Sequence, residues 1–291
     1  FSAWLKCHAP AAFLVALLNS QPMDFYSPSQ LTRDARRHGI EVLPPDVQHS
    51  DAEASLAGPE GAAVRLGLQQ IKGLATAPAR RIAATRPFAN VGDLARRAEL
   101  ARDDLERLAA AGALATLGGH RREAAWAVGA VATQRDLLLD AAPEEPAPAL
   151  AAPDEGEDLV ADYASLRLTL GRHPLCLLRP RLAATRYIDA ATLRSYASNR
   201  VARCAGIVTG RQRPGSASVV FVTLEDESGL INVIVHPGLA QSARRTLLTA
   251  RLLGVFGVVQ REGEVIHLIA KRLVDHSELL GQLTTRSRDF H

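Results

Sequence analysis

Val219-Val220-Phe221-Val222-Thr223-Leu224 and Leu230-Ile231-Asn232-Val233-Ile234-Val235, joined by Glu225-Asp226-Glu227-Ser228-Gly229, decide the fold of the carboxy-terminal half. Apolar, largely β-branched runs around a short polar turn predict a two-stranded hairpin, because a period of two sends alternate side chains to opposite faces of a sheet. Downstream, Leu252–Val259 and Val265–Leu273 repeat the pattern between Gly-containing turns, and a helix is expected over Gly238–Leu248. About five strands result. Toward the amino terminus the period changes. Trp4-Leu5, Phe13-Leu14 and Leu17-Leu18 recur at helical spacings before the breaker Gln21-Pro22, and Ser29–His38 repeats this up to a stop at Gly39. Ile40–Pro45 then reads as a short extended segment.

The fold class expected is therefore multidomain α+β, with a mainly helical amino-terminal half and a carboxy-terminal β-barrel. Five strands with a helix between the third and fourth is the order of an OB-fold, a frequent single-strand binder that combines basic side chains with aromatic faces. The candidates in this barrel are Arg211, Arg213, Asn232 and Arg261 for polar contact, and Phe221 and His236 for stacking. A structural or protein-binding barrel is the competing reading, since Phe221 and Phe256 suit a core equally well.

The 291 residues suffice for several compact domains, and the net charge of +3 hides an uneven distribution. Residues 1–140 carry +1, residues 141–162 carry −7 and residues 163–291 carry +9. A basic carboxy-terminal module behind an acidic spacer suits a partner with a phosphate backbone. Arginine supplies 31 of the 34 cations, which a GC-rich genome explains as well as binding does. Ala141–Asp162, with Pro143, Pro146, Pro148 and Pro153 and no cation, reads as a solvated linker and a domain boundary. Cys7, Cys176 and Cys204 are scattered and the nine histidines form no cluster, so neither a zinc site nor a redox pair is indicated. No apolar run reaches membrane-spanning length and no signal peptide is evident, which points to a cytoplasmic location without membrane contact. The chain opens on Phe1 with its single methionine at position 23, as expected of a fragment.

Leu66-Gly67-Leu68-Gln69-Gln70-Ile71-Lys72-Gly73-Leu74-Ala75-Thr76-Ala77-Pro78-Ala79-Arg80-Arg81-Ile82 resembles a helix-hairpin-helix. In that motif amides at the start of the second helix grip a phosphate without reading sequence. Lys72, Gly73, Leu74, Ala75, Thr76, Arg80 and Arg81 are the candidates, with Ala75 standing where a second glycine is usual. A plain helix–turn–helix joint is the alternative. Leu105–Leu114, with Gly112 in its turn, is a weaker second copy. Asp103-Asp104 reads as a solvated helix face, Glu225-Asp226-Glu227 as hairpin chemistry, and no carboxylate pair is assigned to catalysis.

Trp4 to Phe13, Asn19-Ser20-Gln21-Pro22-Met23, Phe25-Tyr26-Ser27-Pro28, Arg36–Val47, Thr169-Leu170-Gly171-Arg172-His173-Pro174-Leu175 and Arg211–Gly215 occur in the order found in bacterial polymerase III alpha subunits. The wording resembles the error-prone branch, and Arg286–His291 looks like its natural end. The resemblance implies residues 1–60 as the end of the fingers region, 61–125 as the helix-hairpin-helix domain and 126–198 as a helix, linker and connector. Residues 199–276 would be the OB-fold and 277–291 a tail. It further implies damage-induced mutagenic DNA synthesis, a lesion-bypass-polymerase-like accessory protein and catalytic carboxylates upstream of Phe1. Mg²⁺ would serve the full-length enzyme, with no cofactor in this part. DNA is the expected partner, duplex backbone at the hairpin and single strand at the barrel. Gln134-Arg135-Asp136-Leu137-Leu138 resembles a sliding-clamp-binding pentapeptide, with Gln134, Leu137 and Leu138 as its candidates, or else ends a helix. A stand-alone repair or recombination adaptor and an RNA-binding protein such as a tRNA synthetase are the alternatives, both disfavoured by Phe1–Pro45.

Overall fold

The computed structural model describes residues 2–23, 26–131, 148–214, 219–281 and 283, together with the backbone of 288–290. They form two compact units, Phe1–Leu170 and Gly171–His291.

The first unit opens with helices α1 (Ser2–His8), α2 (Pro10–Asn19) and α3 (Pro28–Arg37). Ser27 starts α3 through a capping box with Gln30, which satisfies two backbone donors reciprocally. A small sheet follows, from β1 (Glu41–Leu43), β2 (Ser55–Ala57) and β3 (Ala63–Arg65), with β3 in the middle, parallel to β1 and antiparallel to β2. Then come α4 (Thr76–Thr85), α5 (Val91–Arg97), α6 (Arg102–Ala110), α7 (Ala115–Gly118), α8 (Arg121–Ala130) and α9 (Glu155–Ser165). Leu66, Leu68, Ile71, Ile82, Leu94, Leu105, Leu108 and Leu114 are fully buried in one core. At roughly 1.5–3 kcal/mol per buried side chain, this core is what holds such short helices together.

Helix α9 corrects the expected linker. The stretch through Asp162 is helical from Glu155, started by a capping box between Asp154 and Glu157 and held to α8 by Arg122 on Glu157 and Arg121 on Asp158 and Asp162. Ion pairing folds back a segment whose composition alone favours solvent. The division between units consequently falls at Leu170/Gly171.

The second unit contains α10 (Pro174–Ala184), α11 (Ala190–Arg194), β4 (Val201–Gln212), β5 (Val220–Asp226), β6 (Gly229–Val235), α12 (Pro237–Ser242), α13 (Arg244–Thr249), β7 (Leu252–Glu262), β8 (Val265–Asp275) and β9 (Arg288–Phe290). Strand order β5-β6-β8-β7-β4 closes through a β4–β5 pairing, giving a five-stranded barrel, and β9 adds to the edge of β4. Closure depends on β4, which pairs with β7 from Val201 to Ile207 and with β5 from Ile207 to Gln212. A bulge between Val208 and Gly210 lets the strand bend between its two partners. Alternation on β6 buries Ile231, Val233 and Val235 and turns Leu230, Asn232 and Ile234 outward. The helix expected between the third and fourth barrel strands is present as two short helices, α12 and α13.

Candidate nucleic-acid interface

Gly73 sits at φ +85°, a left-handed conformation that glycine adopts without steric cost. It forms the tight turn between a 3-10 turn, Leu68–Gln70, and α4. The arm before the turn is thus shorter than the helix the motif predicts. Lys72, Ala75, Thr76, Ala77 and Arg80 are exposed along this edge. Ala75 precedes α4 and offers no capping side chain, and Pro78 has no N–H to donate. The first-turn amides therefore face solvent beside two cations, an arrangement suited to a phosphate.

Two of the predicted residues do other work. Leu74 is buried, and its N–H donates to Ile71 O at 3.2 Å. Arg81 folds toward the protein, donating from Nε to Ala98 O at 2.7 Å and from Nη2 to Glu99 O at 3.0 Å, so it caps the end of α5. Arg107, which sequence reasoning missed, packs over Gly73 while pairing with Asp104 at 3.1 Å. It comes from α6, and no local pattern announces so distant a contact.

The second copy is the more regular hairpin, with α6 before the turn, Gly112 at φ +72° and α7 after it. It is closed from within. Arg121 lies against Gly112, donates from Nε to Ala110 O at 2.9 Å, and turns its two remaining nitrogens to Asp158 and Asp162 of α9. Carboxylates of the same chain satisfy the guanidinium that a phosphate would otherwise meet. Burial raises the Asp162 carboxyl pKa, against the opposing pull of the Thr169 hydroxyl and Arg121.

In the barrel, Phe221, Asn232 and Ile234 are outward-facing on β5 and β6, with Phe221 paired to Ile234 and Asn232 between Thr223 and His267. Arg213 and His236 are exposed just past the ends of β4 and β6. Arg211 is a correction: it is only 6% exposed, and its guanidinium donates to Leu247 O and Ala250 O, both at 2.6 Å. It closes the carboxy-terminal end of α13 and has no edge free for a strand. Arg261 is held by the carbonyls of Arg194 and Tyr196. The predicted barrel set is thus split, with Phe221 and Asn232 together, Arg213 just past Gln212, the cross-strand partner of Phe221, and Arg211 and Arg261 committed elsewhere.

Glu225-Asp226-Glu227 is more than a turn. Asp226 is fully buried and accepts from the amides of Ala190, Ser228 and Gly229, while Arg179 of α10 pairs with Glu227 and Asp226. These carboxylates anchor α10 and α11 to the barrel. Asp103 and Asp104 are paired with Arg107 on the surface of α6. Among the described residues no group of three His, Cys, Asp or Glu is placed to hold a metal, and no helix is long and apolar enough to cross a membrane. Gln134, Leu137 and Leu138 lie outside the described residues.

Residues 39–124 match the family described as a helix-hairpin-helix motif, and residues 202–275 match the OB-fold nucleic acid binding domain. The whole chain is 59% identical to 28% of an error-prone DNA polymerase of Azoarcus sp. (strain BH72). It is 58% identical to 28% of the corresponding protein of Dechloromonas aromatica (strain RCB). The chain thus spans little more than a quarter of the length of these relatives. Among solved structures, an asparaginyl-tRNA synthetase from Pyrococcus horikoshii is similar over 30% of this chain and 22% of its own, at 17% identity and a TM-score of 0.27. With both modules in place and similarity running from end to end, the chain is similar over its whole length to the carboxy-terminal part of longer proteins named error-prone DNA polymerase.

Proposed function

We propose that this chain is the DNA-holding part of an error-prone, DNA-directed DNA polymerase, gripping duplex backbone with the first hairpin and a single strand with the barrel. Similarity along the entire chain to proteins named error-prone DNA polymerase carries this reading. The exposed amides of α4 beside Lys72 and Arg80 supply its chemistry. Nucleotide addition belongs to catalytic carboxylates elsewhere in the full-length enzyme, where Mg²⁺ would act. Asp103, Asp104, Asp158, Asp162, Asp226 and Glu227 are engaged by arginines and are not assigned to that role. The full-length polymerase would act in the cytoplasm during damage-induced translesion synthesis, with a lesion-bypass-polymerase-like accessory protein. Gln134, Leu137 and Leu138 are proposed to bind the sliding clamp, so a pull-down should lose clamp when Gln134 and Leu138 become alanine, and undiminished capture removes that partner.

Fluorescence anisotropy on unrelated duplex sequences at increasing salt tests the central reading. Binding should be sequence-independent and weaken steeply with salt, and the chain alone should incorporate no nucleotide. Salt-insensitive affinity, or none, would refute the DNA-holding role.

A further inference from the structure

Strands β5 and β6, which carry Phe221 and Asn232, have the exposed Arg213 beside them, just past Gln212, the cross-strand partner of Phe221. Those two strands contain no Lys or Arg, whereas β4, β7 and β8 contain Arg203, Arg211, Arg261, Lys271 and Arg272 against Glu262 and Asp275. Arg211 and Arg261 are committed to backbone carbonyls, and Asp275 accepts from the Ser277 amide at 2.9 Å. Of the other cations within these three strands, Arg203 and Arg272 flank one ring. Phe256 of β7 has Arg203 of β4 as its cross-strand neighbour on one side and Arg272 of β8 on the other. Their guanidinium carbons lie 4.8 and 5.4 Å from its centroid. Lys271 is exposed beside Arg272, and Arg186 is exposed next to Tyr187, whose ring meets the Phe256 ring edge-on at 5.7 Å. The Tyr187 hydroxyl is itself fixed by His276 at 2.9 Å.

Among the described residues neither Arg203 nor Arg272 has a carboxylate partner. Each packs against the aromatic ring, a contact that orders the long side chain while leaving guanidinium N–H groups for an oxyanion. Two cations on either side of one ring, spread over three strands, offer charge to successive oxyanions of a sugar–phosphate chain.

We propose that a single DNA strand crosses the barrel over β4, β7 and β8, with its phosphates on Arg203 and Arg272, and that the β5–β6 face is not the phosphate-binding one. This rests on the DNA-holding role proposed above. The test uses the full chain and a fluorescein-labelled oligothymidine, in a Lys72→Ala/Arg80→Ala background that removes the hairpin's share. Arg203→Ala/Arg272→Ala should weaken binding roughly tenfold at low salt, and flatten the slope of log K against log salt by about 1.4, corresponding to two single-strand phosphate contacts. Arg203→Lys/Arg272→Lys should largely keep the slope, which separates charge from folding. The proposal is overturned if the double alanine variant keeps wild-type affinity and slope, or if affinity is lost in Phe221→Ala/Asn232→Ala instead. Equal binding of a poly-glutamate peptide would also overturn it, by assigning the face to an acidic protein. Absence of DNA binding by the unmutated chain would refute the wider DNA-holding role as well.

Discussion

The Nε of Arg107 lies 3.0 Å from the position that a β-carbon on Gly73 would take. Gly73→Ala therefore meets an unfavourable left-handed backbone at φ +85° and displaces Arg107. Urea denaturation should show a loss of about 1–2 kcal/mol, and duplex affinity should fall. Gly112→Ala, at φ +72°, should carry a similar stability cost with DNA affinity retained. Equal loss of affinity in both would mean that the second hairpin is open to DNA after all.

Arg80 and Arg81 are adjacent in sequence and opposite in consequence. Arg80→Ala should change stability by less than about 0.5 kcal/mol while lowering duplex affinity several-fold. Arg81→Ala removes two hydrogen bonds to the end of α5 and should cost about 1–3 kcal/mol, visible as a lower Tm. The two readouts, melting and anisotropy, should separate completely.

Removing Arg121 leaves Asp162 largely buried without its main cation. Arg121→Ala should cost about 3–5 kcal/mol at neutral pH. The Asp162 pKa is already raised by burial, so its protonated form is the one the fold favours. A raised folded pKa gives a contribution that is full below the unfolded value of about 3.9 and is lost as pH climbs through the folded value. Arg121→Ala should accordingly be least damaging at acid pH, and adding Asp162→Asn should recover stability at neutral pH. Denaturation at pH 4 and pH 7 gives the comparison.

His276 has the opposite sign. Burial depresses its pKa, with Asp275 and Glu278 pulling the other way, and its Nε2 meets the Tyr187 hydroxyl. A depressed folded pKa means that the unfolded chain takes up the proton first, so stability present above about pH 6.5 is lost as pH falls through the folded value. The barrel's Tm should drop on acidification from pH 7.5 to 5.5, and His276→Gln should flatten that drop.

Cys204 is buried in the barrel, which pushes its thiol up to about 12, whereas Cys7 is exposed on α1. Maleimide labelling of the native chain should modify Cys7 rapidly and leave Cys204 untouched until denaturant is added. Rapid labelling of Cys204 in the native state would contradict the barrel packing.

The barrel was legible because period two persists along β5, β6, β7 and β8, and the hairpin because glycine at a tight turn has a local cause. β2 and β3 were missed, since three residues are too few for alternation to register. α9 was misjudged because acidic, proline-rich composition outweighed its Asp154–Glu157 capping box, and only the fold brings Arg121 and Arg122 to it. Arg81, Arg211 and Arg261 have the right chemistry for DNA, but whether a guanidinium faces solvent or a helix-end carbonyl is decided by tertiary packing. Arg107 and Phe256 owe their roles to neighbours far along the chain.

Helix α9 touches both hairpins at once. Ser165 O accepts the Lys72 amide at 2.7 Å and Leu166 O accepts Gln70 at 3.3 Å, while Asp158 and Asp162, about two turns and one turn back, hold Arg121 at the other hairpin. The helix is a strut: the distance between the open grip and the closed one is set during folding, before any duplex arrives. Ordering entropy that a looser first hairpin would lose on association has already been lost, so the strut favours tighter binding without adding a contact to DNA.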